Sequence, residues 1–478
     1  MTYDITIIGN GILAYSTAYH ILKKDPTTKI SIIGPQSRLG SATLAAGAML
    51  NAYAELTNAS LLSSEGRLKF EMARKSSQLW PNWIKELNNN LNDEEQVELK
   101  LGTYVINNSL SGRLECENYE VILNTLKKYG EEFEEIGSQH IPGLNALEGC
   151  RPIRSLYIPQ EGYVDSHQLI KALHTILSRS SNVTILDDEA IKINYDKGKI
   201  TGVDTKGKGT IFSKNVLLAA GAFSQRLIDT IPEIKKRIPP VFAGVGISLL
   251  LRQNHNDPIK HVIRTPNRSG ACGLHALPRD EKTLYIGASN NVYIHPSHQL
   301  TAGISHFLLQ CAIEQINQNF YKNEIVDWHV GNRPAPLDTF PLLGATSIQG
   351  LWISTGTYRD GIHQSPLLSD ELSNMILGQP TNLDKAFLPE RAPIKTRTVQ
   401  ESIDEYIDHY LAASYEHGAH PPRFLQEKGY TIAARNKVER WYGLLQTNYG
   451  LSPDMVFMFD FAPDQDTLIN YLKNYLNN

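Results

Sequence analysis

The stretch Tyr3-Asp-Ile-Thr-Ile-Ile-Gly-Asn-Gly-Ile-Leu-Ala14 decides how the rest of the chain is read. Residues 3–8 are short, β-branched and apolar, as in a parallel strand buried on both faces. Gly9, Asn10, Gly11 and Ile12 then turn the chain, and a helical pattern runs to about residue 24. Residues 29–33, Lys-Ile-Ser-Ile-Ile, are the next expected strand. Strand, glycine turn, helix and strand make the βαβ unit that holds a dinucleotide. Gly9 permits the tight turn, Gly11 lets backbone amides approach a pyrophosphate, and Ala14 is small enough for helix to pack on strand. The helix N-terminus then faces the phosphates with its partial positive charge. One element of the pattern is absent. The second strand of such a unit ends near an acidic residue that holds a ribose hydroxyl. Here Gly34-Pro35-Gln36-Ser37-Arg38 stands in that place, so Gln36 or Ser37 offers a neutral hydrogen bond, or the ribose meets water.

Composition bounds the remaining choices. The chain has 478 residues, 41% of them hydrophobic and 20% charged, the balance of a globular protein with a sizeable core. Lys and Arg number 46 against 50 Asp and Glu, a net charge of −4, so no global field draws in nucleic acid or an anionic membrane. Cys116, Cys150, Cys272 and Cys311 are scattered, which favours free thiols in a reducing compartment. No run approaches the ~18 apolar residues of a spanning helix. Asp4 interrupts the first apolar run, so no signal peptide is read and a cytoplasmic location is expected. No metal site is expected.

Farther along, Arg38 to Leu50 is small, glycine-bearing and nearly uncharged. Small residues let backbone lie against a flat ring or a phosphate, although a tightly packed helix would use the same composition. Residues 64–91 look helical, with Trp80 and Trp83 in the core. Residues 88–95 form a polar loop. A strand at 103–106, helices at 114–132 and 166–178, and short strands at 182–186, 190–195 and 202–204 follow. Residues 215–224 read as a buried strand entering a glycine turn. Strands at 241–251 and 283–288, a helix at 297–317, a glycine-rich passage at 331–366 and a helix to about 377 complete this part. A proline-bearing linker at 379–395 leads to some 80 residues read as helix (398–416), helix (423–448), strand (455–461) and helix (464–476). The expected fold class is α/β and α+β: a Rossmann-like nucleotide domain (1–80, 155–235 and 325–380) interleaved with a sheet-bearing substrate domain (81–154 and 236–324). A mainly helical extension, 396–478, follows.

Taken together, four runs resemble the D-amino-acid oxidase superfamily of FAD-dependent oxidoreductases, and within it the glycine-oxidase-like branch. They are Ile8 to Ala14; Ala45-Ala-Gly-Ala-Met-Leu50; Val216-Leu-Leu-Ala-Ala-Gly-Ala-Phe-Ser224; and a closing pair. That pair is Gly331-Asn-Arg-Pro-Ala-Pro-Leu-Asp338, then Ser354-Thr-Gly-Thr-Tyr-Arg-Asp-Gly-Ile362. The resemblance covers roughly residues 1 to 380. It implies FAD, a substrate lying over the flavin ring, hydride transfer to flavin N5, an imine that hydrolyses to an oxo product, and molecular oxygen as acceptor. It implies cofactor contacts at Gly9, Asn10, Gly11, Ile12, Ser41, Ala42, Thr43, Ala46, Gly47, Met49, Ala190, Ala220, Gly221, Arg359, Asp360, Gly361, Ile362 and His363. Arg333 matches the arginine that forks onto a substrate carboxylate, a task suited to planar guanidinium. Its plain alternative is a structural arginine tied to a carbonyl or to Asp338. Arg359 to Ile362 match the run whose amides face the flavin pyrimidine edge, where donors stabilise the charge of the reduced ring.

Three departures stand out. His275 occupies a position where the family often has tyrosine; it could meet a carboxylate and titrate between about pH 5 and 8, or be an ordinary core or surface histidine. His363 replaces an apolar residue; protonated and inward it would favour the reduced anion, and otherwise it is solvated. No cysteine lies within about ten residues of Gly331, so the flavin is expected to be non-covalent. Residues Arg333, His275, Arg359 and His363 are thus the expected catalytic set. A dehydrogenase with another electron acceptor is the near alternative. A flavin-binding scaffold whose C-terminal extension binds a second copy or a protein partner is the distant one.

Overall fold

The computed structural model describes residues 2–253, 258–271, 273–416 and 426–477. Cys272 and the start expected for the helix at 423 lie outside them.

Two sheets organise the chain. Among the described residues the first has eight strands. Leu351–Thr355, Gly209–Leu218, Thr2–Ile8, Ile30–Ile33 and Val183–Leu186 lie side by side, all parallel. Leu342–Ala345 closes one edge antiparallel. The hairpin Ala190–Asp196 and Lys199–Thr205 hangs from Gly209–Leu218. The four residues of Ile30–Ile33 are all buried, which accounts for their unbroken apolar run apart from Ser31. Ser31 hydrogen-bonds Thr6 on the neighbouring strand, so its hydroxyl is satisfied. Helix Ile12–Lys24 packs against helix Ser365–Ile376, with Ser16 and Ser369 hydrogen-bonded at the contact. The first and last glycine-rich passages are thereby side by side.

The second sheet has ten strands among the described residues. Its longest pairing joins Val241–Arg252 to Ile325–Pro336, with Gly244 opposite Arg333 and Gly246 opposite Gly331. His275–Pro278, Thr283–Gly287, Val262–Arg264, Leu99–Asn108 and Pro152–Val164 extend it. The boundaries expected near 155 and 325 group most of Pro152–Val164 and all of Ile325–Pro336 with the nucleotide part. Both strands instead pair in the second sheet. A strand's sheet is chosen by distant partners, which local pattern does not encode.

The C-terminal helices Val399–Glu416, Gln426–Leu445, Pro453–Phe461 and Gln465–Leu476 share a core with Phe242, Val292 and Ala335 of the second sheet and with Leu337 just past its strand end. The strand expected at 455–461 is helix Pro453–Phe461. A short apolar run fits a buried helix as well as a strand. Here Ser452 at the N-cap and Pro453 in the first turn are helix-start signals that decide it. Trp80 and Trp83 are buried in the core, edge to face with ring centroids 5.0 Å apart.

Candidate active site

A cavity of about 550 Å³ runs between the two sheets. Every residue singled out above as a cofactor contact lines it, from Gly9 through Met49, Ala190, Ala220 and Gly221 to the run 359–363. Arg333 and His275 line it too.

At one end the chain crosses itself closely. Gly9 has φ +119°, and a β-carbon there would lie 2.3 Å from the Ala219 carbonyl oxygen. Only glycine fits. Helix Ile12–Lys24 starts at Gly11, which has no capping side chain, and has no acid in its first turn; the Ile12 amide donates to the Thr43 hydroxyl at 3.3 Å, and no negative charge on the helix itself opposes an anion at its start. Asn10 donates to the Pro35 carbonyl at 2.9 Å and ties the 34–38 loop to this turn. The acids lining this end, Asp188 and Glu189, follow strand Val183–Leu186 rather than Ile30–Ile33. Asp187 accepts from the Gln36 amide at 2.8 Å, and Glu189 pairs with Arg226. The run Asp187-Asp-Glu189 at a strand end was the available signal for these residues.

In the middle, Ser41 caps the short helix Ala42–Ala45. The Tyr285 hydroxyl donates to the Ala45 carbonyl at 2.8 Å, and a β-carbon on Gly47 would lie 2.9 Å from the Tyr285 ring. The run of small residues thus admits an aromatic ring from the second sheet. The glycine crossing, the acid-free helix start and this run of small residues together fit a long, flat dinucleotide with a pyrophosphate.

The other end is built by arginines. Arg333 lies across Gly246, where a β-carbon would be 2.2 Å from Nη1, so that glycine clears its path. Nη1 donates to the Ser289 carbonyl at 2.9 Å. Among the described residues Nε and Nη2 have no protein acceptor, and no carboxylate pairs with this arginine. Asp338, the alternative partner, is bonded to Arg391 at 2.9 Å instead. Arg264, 1% exposed, is the opposite case: it donates to Glu55, to Asn267 at 3.0 Å and to the Thr265 carbonyl at 3.1 Å. Burial alone would raise the Glu55 carboxyl, but Arg264 beside it outweighs this and holds it below the ordinary range. Glu55, Arg264, Asn267 and Tyr285 line the cavity, and sequence reading missed them. Their only signal was their position on segments flanking motifs.

His275 takes the core alternative, and His363 takes neither of the two alternatives given for it. Burial pushes each down to about 4, so both are neutral near pH 7. His275 Nδ1 lies 3.0 Å from the Gly273 carbonyl, which only accepts, so Nδ1 carries the proton. Its ring stacks on Tyr285 with centroids 5.7 Å apart. A titration between pH 5 and 8 is therefore lost to desolvation. His363 is neither protonated nor solvated. It is 3% exposed, and Nε2 lies 2.9 Å from the Ser77 hydroxyl. Among the described residues its buried Nδ1 has no hydrogen-bond partner. Arg359, in the run whose amides are expected at the pyrimidine edge, lines the cavity, and its side chain directs Nη2 to Asp454 at 2.7 Å.

The family of FAD dependent oxidoreductases designated DAO matches residues 4–375. The bifunctional protein ThiO/ThiG of Trichormus variabilis is 25% identical over 395 residues, covering 80% of this chain and 54% of that protein. The chain thus spans about half the length of these bifunctional relatives. A glycine oxidase of Geobacillus kaustophilus is 23% identical over 401 residues, covering 80% of this chain and 95% of that one. The crystal structure of glycine oxidase from Geobacillus kaustophilus superposes with a TM-score of 0.69 at 22% identity, covering 82% of this chain and 99% of that one. An iminodiacetate oxidase structure from a Chelativorans species superposes with a TM-score of 0.67 at 20% identity, covering 82% of this chain and 100% of that one.

Proposed function

The chain belongs to the DAO family of FAD-dependent oxidoreductases, and from that premise we propose that it oxidises the C–N bond of a small amino acid or secondary amine. The observation that carries the substrate class is Arg333, a cavity arginine with two nitrogens open and no carboxylate of its own. A bidentate carboxylate satisfies that fork. Relatives named glycine oxidase support small amino acids as first candidates.

The amides at the start of helix Ile12–Lys24 would hold the pyrophosphate of FAD. The run 41–49 and the turn 359–363 would hold its ring, and no covalent link is proposed. Bound there, FAD would supply a two-electron acceptor for the substrate's α-hydrogen, leaving as hydride. The chain's part is to bind, orient and exclude water. Arg333 fixes the carboxylate. Neutral His275 and the Tyr285 ring wall the site without adding charge. The oxidised product leaves as an imine, which water converts to an oxo acid and ammonia or an amine. Molecular oxygen is the proposed final acceptor. The test is aerobic incubation of the purified holoenzyme with a panel of amino acids and N-methyl amino acids, following oxygen, peroxide and ammonia. Peroxide with oxo acid supports an oxidase. Turnover only with an artificial electron acceptor makes it a dehydrogenase, and no turnover of any carboxylate substrate overturns the reading.

A further inference from the structure

Resting on that amino-acid reading of the cavity, we propose that Asp454 of the C-terminal unit is a positioning residue that selects substrates with one carboxylate over substrates with two. Asp454 lies beyond residue 375, where the family match ends, on helix Pro453–Phe461.

The arginines at the substrate end are not equivalent. Arg264 is committed to Glu55. Arg359 is committed to Asp454: its Nη2 reaches Asp454 Oδ2 at 2.7 Å and the Gly270 carbonyl at 3.3 Å. Its guanidinium carbon lies 4.4 Å from the centre of the Tyr358 ring. The same Oδ2 accepts from the Tyr358 hydroxyl at 2.8 Å, and that hydroxyl accepts from Asn290. Tyr358 has φ +54°, a left-handed backbone that a tyrosine keeps only when its surroundings hold it. One carboxylate therefore fixes both residues at the start of the run that lines the cavity.

Asp454 itself is 7% exposed and does not line the cavity, so it acts through Tyr358 and Arg359. It is firmly placed. Met455, Val456 and Phe459 on its helix are buried in the core shared with the second sheet. A second tie comes from His409, whose Nδ1 accepts from the Gly270 amide at 3.3 Å.

Charge pairing gives the consequence. Glu55 balances Arg264 and Asp454 balances Arg359, while Arg333 has no carboxylate among the described residues. One ligand carboxylate completes the balance. A second would meet an arginine whose field Asp454 already cancels.

The experiment uses the full-length holoenzyme and two ligands without an amine, glycolate and malonate, titrated by their perturbation of the flavin absorption spectrum. Wild type is expected to bind glycolate more tightly than malonate. In Asp454→Asn, which keeps the shape and removes the charge, malonate is expected to gain at least about tenfold relative to glycolate. Asp454→Glu is expected to restore the wild-type preference. An unchanged ratio in a flavin-loaded Asp454→Asn protein overturns the proposal. So does a wild type that binds malonate as tightly as glycolate, even if the variant loses its flavin. Failure of both ligands to perturb the wild-type flavin is a different result: it removes the amino-acid reading, and this inference with it.

Discussion

Tyr358 and Asp454 are 96 residues apart in sequence and joined by a 2.8 Å hydrogen bond from phenol to carboxylate. That bond, with the Arg359 ion pair beside it, fastens the C-terminal helices to the turn beside the candidate flavin and substrate cavity. The C-terminal unit is therefore part of the site's framework, and stability changes within it should be felt in ligand binding.

Trp441→Ala tests that coupling. Trp441 is 4% exposed, stacks on Phe459 with centroids 4.9 Å apart and meets Tyr406 edge to face. Removing a buried tryptophan costs about 3–5 kcal/mol. Chemical denaturation should show that loss, and glycolate affinity should fall with it, because Phe459 and Asp454 share one helix. Full stability in the variant would mean that this core contributes little.

Arg333→Met should raise KM for a carboxylate substrate while FAD stays bound. Losing charged hydrogen bonds is worth roughly 1.5–3 kcal/mol, or about 10- to 150-fold. Steady-state kinetics with flavin content measured in parallel check this. A normal KM would make Arg333 structural.

Gly9→Ala should abolish FAD binding. The alanine methyl would lie 2.3 Å from the Ala219 carbonyl oxygen, at a φ of +119° that alanine rarely adopts. The expected product is insoluble or colourless protein, read from the ratio of flavin to protein absorbance. By contrast, acid precipitation of wild type should release free FAD into the supernatant.

The buried histidines predict how stability depends on pH. His275, His363 and His409 are each pushed down to about 4 by burial, whereas an unfolded histidine titrates near ~6.5. Below ~6.5 the unfolded chain therefore binds more protons than the folded one. Stability from these groups is complete above ~6.5 and declines as pH falls toward 4, by up to about 3 kcal/mol per histidine. Denaturation midpoints from pH 4.5 to 8 should show the decline. His363→Leu should flatten part of it, and an identical slope in the variant would contradict a neutral buried His363. In the same proteins, His275→Phe should leave the pH profile of KM unchanged in shape above about pH 5.5, since His275 is already neutral there.

The βαβ opening, the two glycines and the run of small residues from Arg38 to Leu50 were legible in the sequence because each rests on neighbours a few residues apart. Strand period, turn chemistry and helix start are local properties, and Gly9 can be recognised without knowing what it touches. The family followed from several such local runs in order. Tertiary structure alone decided the rest. Whether His275 and His363 carry charge depends on how deeply the fold buries them. Which arginine stays open to a ligand depends on which carboxylates reach it. Arg359 and Arg333 look alike in sequence, yet the first finds Asp454 and the second finds none among the described residues. The same holds for Met455 to Phe461, whose apolar run suits strand or helix until Ser452 and Pro453 start the helix and its neighbours bury Met455, Val456, Met458 and Phe459. Charge pairing and burial are set by residues about a hundred or more positions away, and no local pattern carries that information.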